Sequence, residues 1–256
     1  MSEDPIRADL AEYCLRLGDD RLVLGHRLSE WCGHLPIVEE ELALGNVALD
    51  LLDQATLLLE RAAALEARGR TADQLAFFRE VTEFRNLLLV EQPNGDFAHT
   101  IARQFLFDAF DIQLATGLEA STDRELASLA TRAAREAVYH LRHSREWVLR
   151  LGDGTGESHR RMQTALDEVW TFTGELFEAD DLLRRLVAAR IAVDPEALRR
   201  PWREEVAGAL REAGLEPPGE ERWMHRGGRI GRHGEAFGRM LSEMQIVARS
   251  FPGVSW

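Results

Sequence analysis

The sequence has few cysteines, no long uninterrupted run of apolar residues and few apolar residues in its first segment. Its two cysteines, Cys14 and Cys32, are far from any C-x-x-C spacing, so both are expected to be reduced thiols. No uninterrupted run of about 18 apolar residues occurs, which predicts that no segment spans a membrane. The first ten residues, MSEDPIRADL, are too acidic and polar for a signal peptide. These features predict a cytoplasmic protein.

The sequence is also short of basic residues. Against 44 acidic residues it has 31 basic ones, which gives a net charge of −13. A protein that binds nucleic acid neutralises phosphates with a basic face, so nucleic acid is not an expected partner. Hydrophobic residues make up 45% of the chain, enough for a substantial core.

β-Branched residues are few, and no segment alternates between apolar and polar residues in the way that a strand does. Leu, Ala, Glu and Arg dominate, and this composition predicts an all-α protein. Gly18 is expected to end the first helix, and the Asp pair at 19–20 is expected to cap the second. Breakers and caps together predict helices over 5–17, 20–32, 37–68, 71–91, 96–118, 122–151, 157–178, 179–190, 195–213 and 234–250, with a Pro- and Gly-rich loop over 214–233.

Four of these predicted helices are long and are joined by short turns. They cover 37–68, 71–91, 96–118 and 122–151, and short connections favour antiparallel neighbours. The sequence therefore predicts a ferritin-like, up-down four-helix bundle. We expect a single domain over 1–256, with core helices over about 37–151 and the C-terminal helices and loop of 157–256 packed around them.

The metal-ligand motif of such bundles is missing. Carboxylate bundles with two metal ions use one Glu from each of two helices and Glu-x-x-His from each of the other two. None of the eight histidines has a glutamate three residues before it; they are His26, His34, His99, His140, His143, His159, His225 and His233. The predicted helix 71–91 has no histidine, and its nearest equivalent is Glu83-x-x-Asn86. The complete ligand set is therefore absent from the sequence.

The segment REAVYHLRHS, residues 135–144, resembles half of a metal site. On a helical wheel His140 lies at the edge of the buried stripe, with Glu136 further out. The position three residues before His140 is Ala137, which has no ligating atom. Structural hydrogen bonding is the preferred interpretation of this segment, and a degenerate or working metal site remains the alternative.

Carboxylates on two other predicted helices have the same two interpretations. Asp53 lies beside a polar line on helix 37–68 that consists of Asn46, Asp50 and Gln54 at a spacing of four residues. Asp108 and Asp111 lie on helix 96–118, where a bundle would supply a single carboxylate. A network of hydrogen bonds between helices, or a contact with another protein chain, is preferred over a remnant metal site.

The only basic concentration in this acidic chain is HRGGRIGRHGEAFG, residues 225–238. Arg226, Arg229, Arg232 and His233 precede a predicted helix, an arrangement that suits an anion such as a CoA phosphate. The segment matches neither a dinucleotide-binding fingerprint nor a phosphate-binding loop of the Walker type. A loop that docks on an acidic partner is the alternative.

Five segments together are more specific than any of these motifs. They closely resemble the C subunit of the bacterial phenylacetyl-CoA epoxidase complexes of aerobic phenylacetate degradation, and the match extends over nearly the whole chain. The segments are LRLGDDRLVLGHRLSEWCGHLPIVEEELALGNVALDLLDQA (15–55), NLLLVEQPNGDFAHTIARQ (86–104), EAVYHLRHS (136–144), MQTALDEVWTFTGELFE (162–178) and GEAFGRMLSEMQIVARSFPGVSW (234–256).

The resemblance implies a structural, ferritin-like subunit without a cofactor of its own. In that family the C subunit pairs with a catalytic A subunit, which holds the di-iron site and binds the acyl-CoA, and a reductase supplies electrons. The expected partners are therefore the A subunit and the other members of the complex, with a homodimer when the partner is missing. The alternative is an autonomous metalloenzyme with an unusual ligand set such as Glu136, His140, Asp108 and Asp53.

Overall fold

A computed structural model describes residues 5–219 and 222–254, and within these ranges it contains helices and no strand. The all-α prediction is therefore confirmed. The helices are α1 (Pro5–Ser29), α2 (Val38–Glu66), α3 (Ala72–Phe77), α4 (Phe97–Leu118), α5 (Arg124–Gly152), α6 (Gly156–Val169), α7 (Asp181–Ala188), α8 (Pro195–Glu212) and α9 (Glu235–Ser250), with short 3₁₀ turns at Val81–Glu83, Trp170–Phe172, Gly174–Phe177 and Gly228–Ile230.

The chain forms two compact units. Unit 1 consists of Met1–Pro93 and Gly227–Trp256, and unit 2 consists of Asn94–Arg226. In unit 1, α1 packs along α2, and α3 contacts both α2 and α9. In unit 2, α4 packs along α5, and α6 and α8 pack against both of these helices. The single domain over 1–256 and the ferritin-like type of bundle stay predictions.

The predicted break at Gly18 is wrong, because α1 continues through it. A Cβ atom at Gly18 would lie 2.9 Å from Leu59 Cδ2, so this glycine lets α1 approach α2 closely. Asp19 and Asp20 do not cap a helix either; both are buried in the middle of α1. The Gly-Asp-Asp sequence makes tertiary contacts here. The same three residues are also typical of a helix boundary, so a local pattern cannot distinguish the two roles.

The predicted helix 71–91 is also wrong beyond its first turns. Thr71 is the N-cap and forms a capping box with Gln74, but α3 ends at Phe77. The backbone N–H of Arg85 donates to Asp19 Oδ2 at 2.8 Å, and that of Leu87 donates to Asp20 Oδ1 at 2.7 Å. Carboxylates of α1 thus take the donors that a helix would use for its own carbonyls. The four longest helices among the described residues are therefore α1, α2, α4 and α5, and the predicted long helix 71–91 is not one of them.

Arginine side chains complete the tie between this irregular segment and α1. Arg79 donates to both oxygens of Asp19, in one case at 2.9 Å, and both residues are buried. Arg229 donates to both oxygens of Asp20, at 3.0 and 2.8 Å. Burial raises the pKa of Asp20, and the Arg229 guanidinium partly offsets this effect. Two bidentate ion pairs, each with a buried carboxylate, thus fix the path of the chain in unit 1.

The remaining helices lie close to their predicted positions, with local corrections. Thr122 and Glu125 have the sequence spacing of a capping box, but Asp123 is the N-cap of α5 and accepts from the N–H of Leu126. The predicted helix 157–178 ends at Val169 and continues as two 3₁₀ turns, and the loop 214–233 contains a further one. Trp202 of α8 donates its Nε1–H to the carbonyl of Leu106 at 2.9 Å, which anchors α8 in the core of unit 2.

Within the part of the chain that the structure describes, α2 alone is long and apolar enough to cross a membrane. Its most apolar window has a mean hydropathy of 1.4, and 44% of that window is buried in the protein. Length and composition alone are weak evidence, because a buried core helix passes the same test.

Candidate functional site

Helices α4 and α5 bring the predicted Asp108 and His140 into one buried cluster. The polar cluster of unit 2 consists of Gln104, Asp108 and Asp111 on α4 and His140 and Ser144 on α5, all of them buried. Gln104 precedes Asp108 by four residues, and Ser144 follows His140 by four, so each pair shares one helix face. The apolar faces of α4 and α5 enclose these polar groups.

Hydrogen bonds occupy both oxygens of Asp108. Gln104 Nε2 donates to Oδ1 at 2.7 Å, and the Ser144 hydroxyl lies 2.7 Å from Oδ2. The same hydroxyl is 3.1 Å from the carbonyl of His140. A protonated Asp108 can donate to Ser144, whose own hydrogen then turns to the carbonyl. An ionised Asp108 accepts from Ser144 instead. The cluster therefore accommodates both protonation states and links α4 to α5 in each.

The pKa of Asp108 is raised to about 7. Burial is the main cause, because the carboxylate loses its hydration. His140, Ser144 and Gln104 lower it, and the neighbouring Asp111 raises it further. Near neutral pH this carboxyl is therefore a mixture of charged and neutral forms.

Glu136 forms an ion pair along α5, and Ala137 is part of the apolar core. Glu136 Oε1 lies 3.1 Å from Arg132 Nε, one turn earlier on the same helix. Ala137 is buried and faces the core with its methyl group. Of the predicted α5 positions, only His140 thus joins the cluster with Asp108.

The other predicted positions belong to unit 1. Asn86 is buried and donates to Glu91 Oε2 at 2.9 Å, whereas Glu83 is exposed in a 3₁₀ turn. Asp53 lies on α2, one residue before Gln54. Gln54 accepts from Arg21 Nε at 2.7 Å, so the polar line on α2 supplies one of the predicted hydrogen bonds between helices.

Among residues 5–219 and 222–254, no three His, Cys, Asp or Glu side chains form a group that could hold a metal ion. Asp108 and His140 provide one carboxylate and one imidazole, short of the four carboxylates and two histidines of a di-iron bundle. The described residues therefore do not fit a di-iron centre, and the polar cluster of unit 2 is suited to joining two helices.

The basic loop around 226–233 is largely engaged by carboxylates of the chain itself. Arg226 lies 2.9 Å from Glu178, Arg229 binds Asp20, and His233 Nδ1 lies 2.7 Å from Glu91 Oε2. The other Glu91 oxygen accepts from the N–H of Gly234, the N-cap of α9, at 2.8 Å. Arg232 is exposed. A CoA phosphate at the start of α9 would therefore have to displace the Glu91 carboxylate.

The two ring nitrogens of His233 contact two different groups of unit 1. His233 Nε2 lies 3.1 Å from the carbonyl of Phe84, an acceptor, while Nδ1 faces the Glu91 carboxyl. An imidazole with one N–H can donate to only one of these groups. The contacts of His233 with Glu91 and with the Phe84 carbonyl fasten the loop to the irregular segment of unit 1.

Comparison with known proteins assigns the chain to a protein family. The family model with the description "Phenylacetic acid catabolic protein" matches residues 1–256, and the chain belongs to that family. The chain is also 50% identical over 247 residues to the C subunit of 1,2-phenylacetyl-CoA epoxidase from Escherichia coli (strain K12). The match covers 96% of this chain and 99% of that protein, which confirms the resemblance found in the sequence.

Sequence reasoning did not find Gln104, Ser144, Glu91 and the Asp19–Arg79 pair. The i, i+4 spacing of Gln104 to Asp108 and of His140 to Ser144 was an available signal. Asp19 and Arg79 are 60 residues apart, and no local spacing predicts such a contact.

Proposed function

We propose that this chain is the structural subunit of a multicomponent oxygenase that epoxidises phenylacetyl-CoA in phenylacetate catabolism. In this role it binds and supports a separate di-iron catalytic subunit, performs no chemistry itself, and works in the cytoplasm beside a reductase. A ferritin-like bundle is part of the proposal. The observation that carries it is the 50% identity to the C subunit of the epoxidase over nearly the full length of both chains.

The polar cluster of unit 2 supports the non-catalytic part of this proposal. Asp108 is committed to Gln104 and Ser144, and Glu136 pairs with Arg132 of its own helix. The Asp108 oxygens are hydrogen-bonded to residues of α4 and α5, so this carboxyl group stabilises the contact between these two helices. The same arrangement works against the alternative of an autonomous metalloenzyme.

Co-expression with the candidate di-iron subunit tests the role in the complex. We expect the two chains to co-purify in a fixed ratio and epoxidation of phenylacetyl-CoA to require both of them. The expected result follows from a subunit that stabilises its partner by binding its folded state. A catalytic subunit that is soluble and fully active without this chain would contradict the proposal.

Elemental analysis of the purified chain separates the structural subunit from the metalloenzyme. We expect iron and manganese far below one atom per chain, even after expression in iron-supplemented medium. The Asp108→Asn variant serves as the matched control, because it removes the carboxylate best placed to ligate a metal. Stoichiometric metal in the wild type that falls in this variant would support the metalloenzyme and refute the structural role.

A further inference from the structure

Helix α2 has an apolar face that the described part of the chain leaves exposed. Val38, Leu42 and Leu49 have exposed fractions of 67%, 64% and 65%. Their spacings of four and seven residues place them on one side of the helix, and we call these three residues the α2 stripe. The opposite face of α2, with Leu44, Leu51 and other buried residues, packs along α1. The helix is therefore apolar on two sides, and only one of them is covered.

The middle of the stripe permits a close approach. Gly45 lies between Leu42 and Leu49, and a Cβ atom built on it would meet no atom within 4 Å. A bulky residue from outside can therefore enter between the two leucines, as a knob enters a hole in helix packing. Scattered exposed apolar residues need no explanation, but an aligned row with a gap for a partner side chain is typical of an interface.

The charge beside the stripe selects the kind of partner. From Val38 to Glu60 the helix contains six acidic residues and no Lys, Arg or His, and Arg61 is the first basic residue after them. Five of the acidic residues lie within about 100° of the stripe on a helical wheel, namely Glu39, Glu41, Asp50, Asp53 and Glu60, whereas Glu40 lies on the opposite side. Two copies of this chain meeting along α2 would bring acidic flanks together, which opposes such a dimer. A helix with basic flanks would bind more tightly beside the same charges, because opposite electrostatic potentials would face each other across the contact.

We propose that the α2 stripe docks an amphipathic helix of a different protein chain, with an aliphatic ridge flanked by Lys or Arg. The inference rests on the proposed function, in which this chain works inside a complex, and it names the surface and the chemistry of the partner. It also assigns the homodimer, if one forms, to another surface.

The first experiment uses the co-expressed di-iron subunit and a variant in which Leu42 and Leu49 are both replaced by Gln. We expect this double variant to bind the di-iron subunit at least about 100-fold more weakly than the wild type, since central apolar anchors dominate binding energy. Val138→Gln is the matched control, because Val138 is 60% exposed on α5, and it should bind like the wild type. Circular dichroism checks that the double variant keeps its helices.

The results of this experiment separate the two proposals. If the wild type does not bind the di-iron subunit, the proposed function fails. If the wild type and the double variant bind equally, the α2 stripe is not the surface and this inference alone fails. A wild-type homodimer that dissociates in the double variant would show that the occupant is a second copy, which also overturns the inference.

A second experiment tests the chemistry of the partner without the di-iron subunit. Two designed helical peptides of about 20 residues carry the same leucine ridge, one with Arg flanks and one with Glu flanks. We expect the Arg peptide to bind the wild type, to bind the double variant about tenfold or more weakly, and to lose affinity as salt increases. Equal binding of both peptides, or of the Arg peptide to both proteins, would refute the assigned partner.

Discussion

Replacement of Asp108 by Asn should make the protein more stable at high pH and leave its stability nearly unchanged at low pH. In the folded protein the carboxyl has a pKa of about 7, against a usual value of 3.8. Between these two values the unfolded chain has lost this proton while the folded chain still binds it. The free energy of unfolding of the wild type therefore falls as the pH rises through this window, and the contribution is constant above it.

The size of the effect follows from the pKa change. Each pKa unit is equivalent to about 1.4 kcal/mol, so ionisation of Asp108 costs the folded state about 4 kcal/mol at most. Asn keeps the acceptor for Gln104 and offers an N–H to the Ser144 hydroxyl, as a protonated Asp does. We expect the stability difference between variant and wild type to grow by about 2–4 kcal/mol from about pH 4 to about pH 8.

Urea unfolding, followed by far-UV circular dichroism at a series of pH values, measures this difference. Asp153→Asn is the control, because it removes an exposed carboxyl at the C-terminal end of α5 and lies outside the polar cluster of unit 2. Its difference from the wild type should not follow the same pH course. A stability difference for Asp108→Asn that is independent of pH, or that favours the wild type at high pH, would refute the burial argument.

Three further variants test the core and the loop by urea unfolding. Asp19→Asn should lower the free energy of unfolding by about 3–5 kcal/mol, since it leaves Arg79 buried beside a neutral amide; a loss below about 1 kcal/mol would mean that the pair is dispensable. Trp202→Phe should cost about 1–3 kcal/mol, because the Leu106 carbonyl loses its second donor and the smaller ring leaves a cavity in the core of unit 2, and an unchanged stability would contradict these contacts. Gly231→Ala should destabilise the protein far more than Gly33→Ala. Both glycines have a positive φ, of 77° and 78°, but only at Gly231 would a Cβ atom collide with a backbone oxygen, that of Thr82. Equal losses of stability in the two variants would refute this close approach.

The helical class and most helix positions could be predicted from the sequence because local signals specify them. Asp194-Pro195 opens α8, the Thr71 capping box opens α3, and the Gln-Pro-Asn-Gly turn precedes α4. The same local signals failed at Gly18 and beyond Phe77. There, side chains from distant segments compete for the backbone donors, and propensity has no information about them.

The candidate site was likewise predicted only in part from the sequence. Sequence counting found Asp108 and His140 and recognised that Ala137 cannot ligate a metal. It could not show that Ser144 and Gln104 occupy the Asp108 oxygens, or that Glu136 turns to Arg132. It assigned Arg229 and His233 to an external anion or a partner, whereas the fold gives both of them internal carboxylates.

The sequence by itself determined the family, the helical class and the absence of a complete Glu-x-x-His set, because these depend on residue identity and on spacing within one helix. Only the tertiary structure decided which carboxylates are buried, which cations they neutralise and which apolar face of α2 remains exposed. These properties depend on contacts between segments far apart in the chain. Burial then sets the energetic weight of each contact, as the raised pKa of Asp108 illustrates.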